Sequence, residues 1–224
     1  MSAVFITGSG TDVGKTFVTG LLCRQLRAAG KPVGAIKPVV SGFDPARVAE
    51  SDPAALLMAL GREATLAAAE AMAPWRFAQP LSPDMAASRE GRFIDFDALL
   101  AFCRAVIQAQ PGTMLIEGVG GAMVPLTEHH LVIDWISALD IPSLMVTGSY
   151  LGSLSHSLTA VAALKASGLM LTGIVVSETP ASTVPLQETA ETLRRFVEGI
   201  PVVALPRVTD WTTLPDLTWL VAGR

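Results

Sequence analysis

Val4-Phe5-Ile6-Thr7-Gly8-Ser9-Gly10-Thr11-Asp12-Val13-Gly14-Lys15-Thr16-Phe17 is a short apolar run that breaks into glycines and ends in Gly-Lys-Thr. The run reads as a buried strand, the glycines as a turn and the residues after Gly14 as a helix start. That order is what a phosphate loop requires: the turn aims several backbone N–H groups at one anion, and the helix adds the positive end of its dipole. In such a loop Lys15 reaches the outer phosphates and the Thr16 hydroxyl serves a magnesium ion. The spacing is a variant, because Gly8 and Gly14 enclose five residues where four are usual, and counting back from Gly14 puts Ser9 at the first position. The bland alternative is a glycine turn beside a surface lysine; the strand before it and the helical pattern after it favour the phosphate loop.

Working outward, Phe17, Val18, Leu21, Leu22 and Leu26 recur at helical spacing as far as Ala29, and Gly30 marks the stop. Val33 to Lys37 reads as a second strand, ended by Pro38, which has no N–H for a ladder. Lys37 thus stands at the carboxyl end of a strand, the edge where open α/β sheets bind ligands, and Val39-Val40-Ser41-Gly42 follows it. An ordinary solvated lysine is the competing reading. Asp44 to Met72 is helical in composition, with Ser51-Asp52-Pro53 placed to open a helix. Residues 73–83, with Pro74, Pro80 and Pro83, read as an irregular connection near the ligand edge. Two helices follow, Ser82 to Arg89 and Phe96 to Gln108, separated at Gly91.

Thr113 to Glu117 is expected as a buried central strand, with Gly118-Val119-Gly120-Gly121 as its loop. A carboxylate ending an apolar strand is costly to bury unless paired, and a magnesium ion at Thr16 suits Glu117; capping of nearby backbone is the alternative. Further on, Leu131 to Leu139 is helical, Ser143 to Thr147 a strand, and Leu151-Gly152-Ser153 leads into a helix to about Lys165. That helix start would suit a carboxylate, or Ser153 or Ser155 simply caps it. Strand Leu171–Ser177, helix Leu186–Val197 and strand Pro201–Leu205 complete the alternation, and the tail from Thr209 has few signals and is left unassigned. Repeated strand and helix imply an α/β fold: one domain spanning residues 1–224, a mostly parallel sheet with helices on both faces, and the loops after the strands gathered on one edge.

The 224 residues are half hydrophobic, ample for a packed core, and carry a net charge of −4 without a run of basic residues. Nucleic acid is excluded as a partner on that ground. No stretch approaches the roughly 20 apolar residues that span a bilayer, which excludes a membrane partner too, and the start has no basic, apolar leader, so a cytoplasmic protein is expected. Cys23 and Cys103 lie in apolar helical patterns and read as core thiols; His129, His130 and His156 form no catalytic constellation.

Taken together, Thr-Gly-x5-Gly-Lys-Thr at residues 7–16, Lys37-Pro38-Val39-Val40-Ser41-Gly42, Ser51-Asp52 and Glu117-Gly118-Val119-Gly120-Gly121 make a chain that resembles the dethiobiotin synthases over residues 4 to about 207. The family has the same long phosphate loop. The resemblance implies a P-loop NTPase-like homodimer that uses ATP and magnesium to join carbon dioxide to 7,8-diaminononanoate and close a cyclic urea. It implies that Thr16, Asp52 and Glu117 hold the magnesium and that Lys15 and Lys37 contact phosphate and the reacting carbamate, with Thr11 on the γ-phosphate side. Asp12, Val13, Gly14, Phe17, Gly118, Val119 and Gly120 would complete the nucleotide cradle. Adenine would lie against Ser177-Glu178 and Leu205-Pro206-Arg207. Ser41 would face the diamine, and Leu151, Gly152, Ser153, Leu154 and Ser155 would take its carboxylate across the dimer interface. Family members often have asparagine where Ser177 stands and can have it where Ser155 stands; serine has a shorter reach. A nucleotide-dependent switch of the partition and septum-positioning kind shares this plan, but the tail from Trp211 to Arg224 has little of the positive charge those proteins use on membranes or DNA.

Overall fold

The computed structural model describes residues 2–222. Its centre is β1 (Ser2–Gly8), whose last five residues are all buried. Apolar residues on successive positions suit a strand covered on both faces, and alternate side chains here do enter two different cores. Phe5 packs with Trp135, the rings 4.8 Å apart and edge to face, whereas Val4 and Ile6 pack on the other side with Leu22 and Leu26. The helix carrying those leucines is α1 (Lys15–Ala28), which follows the loop and turns off at Gly30.

Next come β2 (Val33–Ile36), β3 (Val39–Ser41), α2 (Asp52–Ala59), α3 (Leu66–Met72), β4 (Trp75–Phe77), α4 (Pro83–Arg89), α5 (Phe96–Ala109) and β5 (Thr113–Glu117). The second half alternates regularly: α6 (Val132–Leu139), β6 (Ser143–Gly148), α7 (Ser153–Ala166), β7 (Leu171–Ser177), α8 (Leu186–Phe196) and β8 (Val202–Leu205). Six strands form one sheet in the order β2-β5-β1-β6-β7-β8, every pairing parallel. The expected α/β architecture with helices on both faces is what the chain adopts.

Two local expectations need correction. The stretch from Asp44 to Met72 is not continuously helical: a 3-10 segment over Pro45–Glu50 precedes α2, and Gly61, with φ +70°, breaks the chain before α3. Residues 73–83 are not wholly irregular, because β4 pairs in parallel with β3, Val39 opposite Trp75 and Ser41 opposite Phe77. The tail, unassigned from sequence, is placed as well: Leu214, Leu217, Leu220 and Val221 are buried against the α1 side of the sheet. Its last residues, Gly223 and Arg224, lie outside the described residues. Cys23 and Cys103 are buried free thiols. Among the described residues no helix is long and apolar enough to cross a membrane.

Register places the chemistry. Ile6 lies opposite Glu117, and Gly8 opposite Val146, so the loop leaving β1 emerges between the ends of β5 and β6.

Candidate active site

The loop between β1 and α1 is held open by backbone that few residues tolerate. Asp12 has φ +56° and Gly14 has φ +96°, and a Cβ on Gly14 would meet the Ser177 hydroxyl oxygen at 2.6 Å. Gly14 is therefore required twice, for its dihedral and for its closeness to the end of β7. The Gly120–Gly121 turn after β5 packs on the same loop: a Cβ on Gly121 would lie 3.1 Å from the backbone of Ser9 and Gly10.

Lys15, the first residue of α1, is buried and donates to the carbonyl oxygen of Gly10 at 2.8 Å. Burial pushes its pKa down to about 8, and the neighbouring Lys37 ammonium adds to the effect. Two lysines are thus gathered where the sequence supplies no excess of positive charge. For Lys15, which has no carboxylate within salt-bridge distance among the described residues, burial as an ammonium is costly on its own and favourable around a polyphosphate.

Lys37, just beyond the end of β2, is 6 % exposed and donates to Glu117 Oε1 at 2.8 Å, to Asp52 Oδ2, and towards Thr16 Oγ1 at 3.5 Å. Burial works against its ammonium, but Glu117 and Asp52 outweigh that and raise its pKa above the ordinary lysine value. Burial would likewise raise Asp52; the charge and hydrogen bond of Lys37 prevail and hold this carboxyl below the ordinary range. Thr16 Oγ1 donates to Glu117 Oε1 at 2.5 Å. Glu117 is completely buried, and its other oxygen, Oε2, has no partner. An orphaned buried carboxylate oxygen beside a second carboxylate and a hydroxyl is a hard-oxygen donor set that suits magnesium, whose remaining ligands are normally phosphate and water. Among the described residues no group of three or more His, Cys, Asp and Glu comes together, so a zinc-type centre is not present there.

A cavity of about 840 Å³ joins these groups. Of the residues expected from the sequence, Thr11, Asp12, Gly14, Lys15, Thr16 and Phe17 line it from the loop side. Lys37, Ser41, Asp52, Val119, Gly120 and Arg207 line it from the others. Ser41 Oγ is buried there without a partner. Val13, Glu117, Gly118, Ser177, Glu178, Leu205 and Pro206 do not form its surface. Ser177 Oγ is also unpartnered, Glu178 accepts from the Arg207 backbone N–H at 2.8 Å, and the Arg207 guanidinium lies over the Phe17 ring at 5.5 Å. The stretch from Leu151 to Ser155 does not reach this cavity within one chain, and Leu151 is 92 % exposed. The Pro80–Pro83 wall belongs to the connection 73–83 expected near the ligand edge, whereas sequence reasoning missed Val124, Thr179 and Pro180. A larger cavity of about 1000 Å³ lies between α4, the start of α5 and the loop 126–130, away from the lysines and carboxylates.

A family model described as an AAA domain matches residues 2–213. The chain is 48% identical over 215 residues to the ATP-dependent dethiobiotin synthetase BioD of Acidiphilium cryptum, covering 94% of this chain and 96% of that one. It is 48% identical to the protein of the same name from Methylobacterium nodulans, over 92% and 94% of the two chains. Among solved structures, the MinC:MinD cell division complex of Aquifex aeolicus superposes with a TM-score of 0.55 at 15% identity, covering 95% of this chain and 85% of that one. At that identity the likeness is one of fold alone, whereas the two synthetases match along nearly their whole length. The chain belongs to the ATP-dependent dethiobiotin synthetase family.

Proposed function

We propose that the chain acts as a cytoplasmic, ATP-dependent, carboxylating cyclo-ligase that converts 7,8-diaminononanoate, carbon dioxide and ATP into dethiobiotin, ADP and phosphate. The observation that carries the reading is Lys37, buried between Asp52 and Glu117 and facing one cavity together with Lys15 and Ser41. One α/β unit would hold the whole reaction.

One amine of the substrate adds to carbon dioxide and loses a proton, giving a carbamate. A carbamate is a poor electrophile, so its oxygen attacks the γ-phosphorus of ATP, the bond to ADP breaks, and a carbamic–phosphoric anhydride results. The second amine then attacks the anhydride carbon; the new N–C bond closes the ring as the C–O bond to phosphate breaks. No side chain need act as a nucleophile. The protein supplies position and positive charge, and Lys15 and Lys37 do both: each ammonium offers three donors to oxygens that gain charge in the transition state. The loop N–H groups from Asp12 to Phe17 hold the phosphates, with Thr11 at the transferring end. Thr16, Asp52 and Glu117 would hold magnesium, which supplies charge neutralisation across the phosphates when bound. Ser41 orients the reacting end of the diamine, and Ser177, Glu178, Leu205, Pro206 and Arg207 take the base.

The diamine carboxylate would be received at the first turn of α7, contributed by a second copy of the chain. The exposure of Leu151, and of Met123 on the loop after β5, supports this reading: both are large apolar side chains on the carboxyl edge of the sheet, where a partner would cover them. Purified protein given ATP, magnesium, bicarbonate and 7,8-diaminononanoate should release phosphate only when the diamine is present. Diamine-independent hydrolysis would instead favour a nucleotide switch.

A further inference from the structure

A row of hydroxyls runs from the phosphate loop to the first turn of α7. Ser9 Oγ lies 2.8 Å from Thr147 Oγ1, Thr147 Oγ1 lies 2.7 Å from Ser157 Oγ, and Ser157 Oγ donates to the Ser153 carbonyl oxygen at 2.6 Å. Thr147 and Ser157 are completely buried and Ser153 is 1 % exposed. A hydroxyl has one proton to give. Ser157 gives its proton to Ser153, so Thr147 must donate to Ser157, and Ser9 must donate to Thr147. The direction of all three bonds is fixed by the last one, and each bond polarises the next.

This row ties together two places that otherwise belong to different parts of the chain. Ser9 stands at the first position of the loop, where a glycine would carry no side chain, and its backbone N–H also donates to Val146 at 3.0 Å. Ser153 opens α7 behind Gly152, whose φ is +98°. The adjoining loops are clamped as well: the Ser149 N–H donates to Thr179 Oγ1 at 3.0 Å and the Thr179 N–H donates to Ser149 Oγ at 3.1 Å. Moving the loop independently of the first turn would break a hydrogen bond of this row and leave Thr147 or Ser157, both buried, with an unsatisfied hydroxyl.

We propose that Ser9, Thr147 and Ser157 form a positioning row that couples the phosphate loop to the first turn of α7, so that nucleotide binding at the loop strengthens binding of the substrate carboxylate at that turn. The proposal rests on the reading of α7 as the carboxylate site. A phosphate that orders the loop orders the turn with it, and the second ligand meets a helix end already fixed. The coupling is reciprocal, since the diamine must strengthen nucleotide binding by the same factor. Because the carboxylate held by one α7 belongs to a diamine in the other protomer's cavity, the row passes the state of one nucleotide site to its neighbour.

The test measures the affinity for 7,8-diaminononanoate with and without a non-hydrolysable ATP analogue and magnesium, in the wild type, Thr147→Val, Thr147→Ser and Ser157→Ala. The wild type should show about a fivefold or greater tightening. Thr147→Val and Ser157→Ala should bring that ratio close to one while each ligand still binds alone, and Thr147→Ser should restore it. A row with only a structural role would lower the melting temperature and leave the ratio unchanged, and that outcome overturns the proposal, as does a ratio of one in the wild type. Should Thr147→Val fail to fold, Ser157→Ala carries the decision. Failure of the underlying reading is seen separately with 2,3-diaminononane, the same chain with methyl in place of carboxylate: if the wild type binds it as tightly as the diamine acid, α7 does not hold the carboxylate.

Discussion

Lys37 is already surrounded by negative charge before any substrate arrives, and that decides how its loss would be felt. Replacing it with methionine keeps the volume but leaves the buried Glu117 beside Asp52 without a cation, which costs about 3–5 kcal/mol. Turnover in Lys37→Met should fall at least about 100-fold, the size expected when a group that stabilises transition-state charge is removed. The melting temperature should fall too, and magnesium should recover more of it than it does in the wild type, because the ion replaces the missing charge. Equal magnesium effects in a thermal scan would argue against Asp52 and Glu117 as its ligands. Cys23 and Cys103 make a second residue-scale case. Burial pushes both thiols up to about 12 from an ordinary value of 9.0, so the native chain keeps these protons over a range in which the unfolded chain loses them. Their contribution to stability is therefore complete below about pH 9 and is lost as the pH climbs towards 12. Urea midpoints should show wild type losing more stability than Cys103→Ala between pH 8 and pH 10, and at pH 8 an alkylating reagent should reach neither thiol until the chain unfolds. Lys15, Thr16, Lys37 and Glu117 could be picked out from the sequence because each stands next to a signal, a glycine or the end of an apolar run. Thr179 and Pro180 could not, since their place on the cavity wall follows from how β7 ends beside the loop, a relation between segments more than 160 residues apart.

Among elements, α1 shows how little room the loop leaves. Gly14→Ala forces a side chain into φ +96° and against Ser177, so nucleotide affinity should drop more than about tenfold, with stability lower by about 1–3 kcal/mol. Adding Ser177→Gly relieves the contact but not the dihedral and should return part of the affinity; complete recovery in a binding titration would show that the clash alone was responsible. The elements that were easy to read are the long ones with clear period, α1, α5 and the apolar strands β5 to β7. β3 and β4 have three residues each, too few to show a period, and the prolines around Trp75–Phe77 spoke for a loop. The tail was unreadable for a different reason. Leu214, Leu217 and Leu220 recur every third residue, but Leu214 and Leu217 only flank the two short 3-10 turns and Leu220 ends the second, so their burial comes from packing on the α1 side rather than from any helix of their own.

On the scale of the whole molecule, the site as proposed divides between one chain and a second copy. Leu151 is 92 % exposed, so Leu151→Arg should leave the single chain folded. The variant should run as a monomer in size-exclusion chromatography, raise KM for the diamine about tenfold or more and leave nucleotide affinity unaltered. A dimer with an unchanged KM would remove α7 from the substrate site.

The strand order described above also governs how the chain comes to be made. β1 pairs with β5 and β6, which begin at residues 113 and 143, so a central strand with a buried apolar run and the loop behind it wait without neighbours while more than a hundred residues are synthesised. At about 5–20 residues per second that interval is on the order of 10 s, long enough for an exposed hydrophobic strand to need shielding by chaperones. A fragment of residues 1–112 should accordingly aggregate or bind an apolar dye and show no affinity for nucleotide, even though it contains the entire phosphate loop. The signature that announces the enzyme in its first seventeen residues is chemically mute until the chain has been two-thirds made.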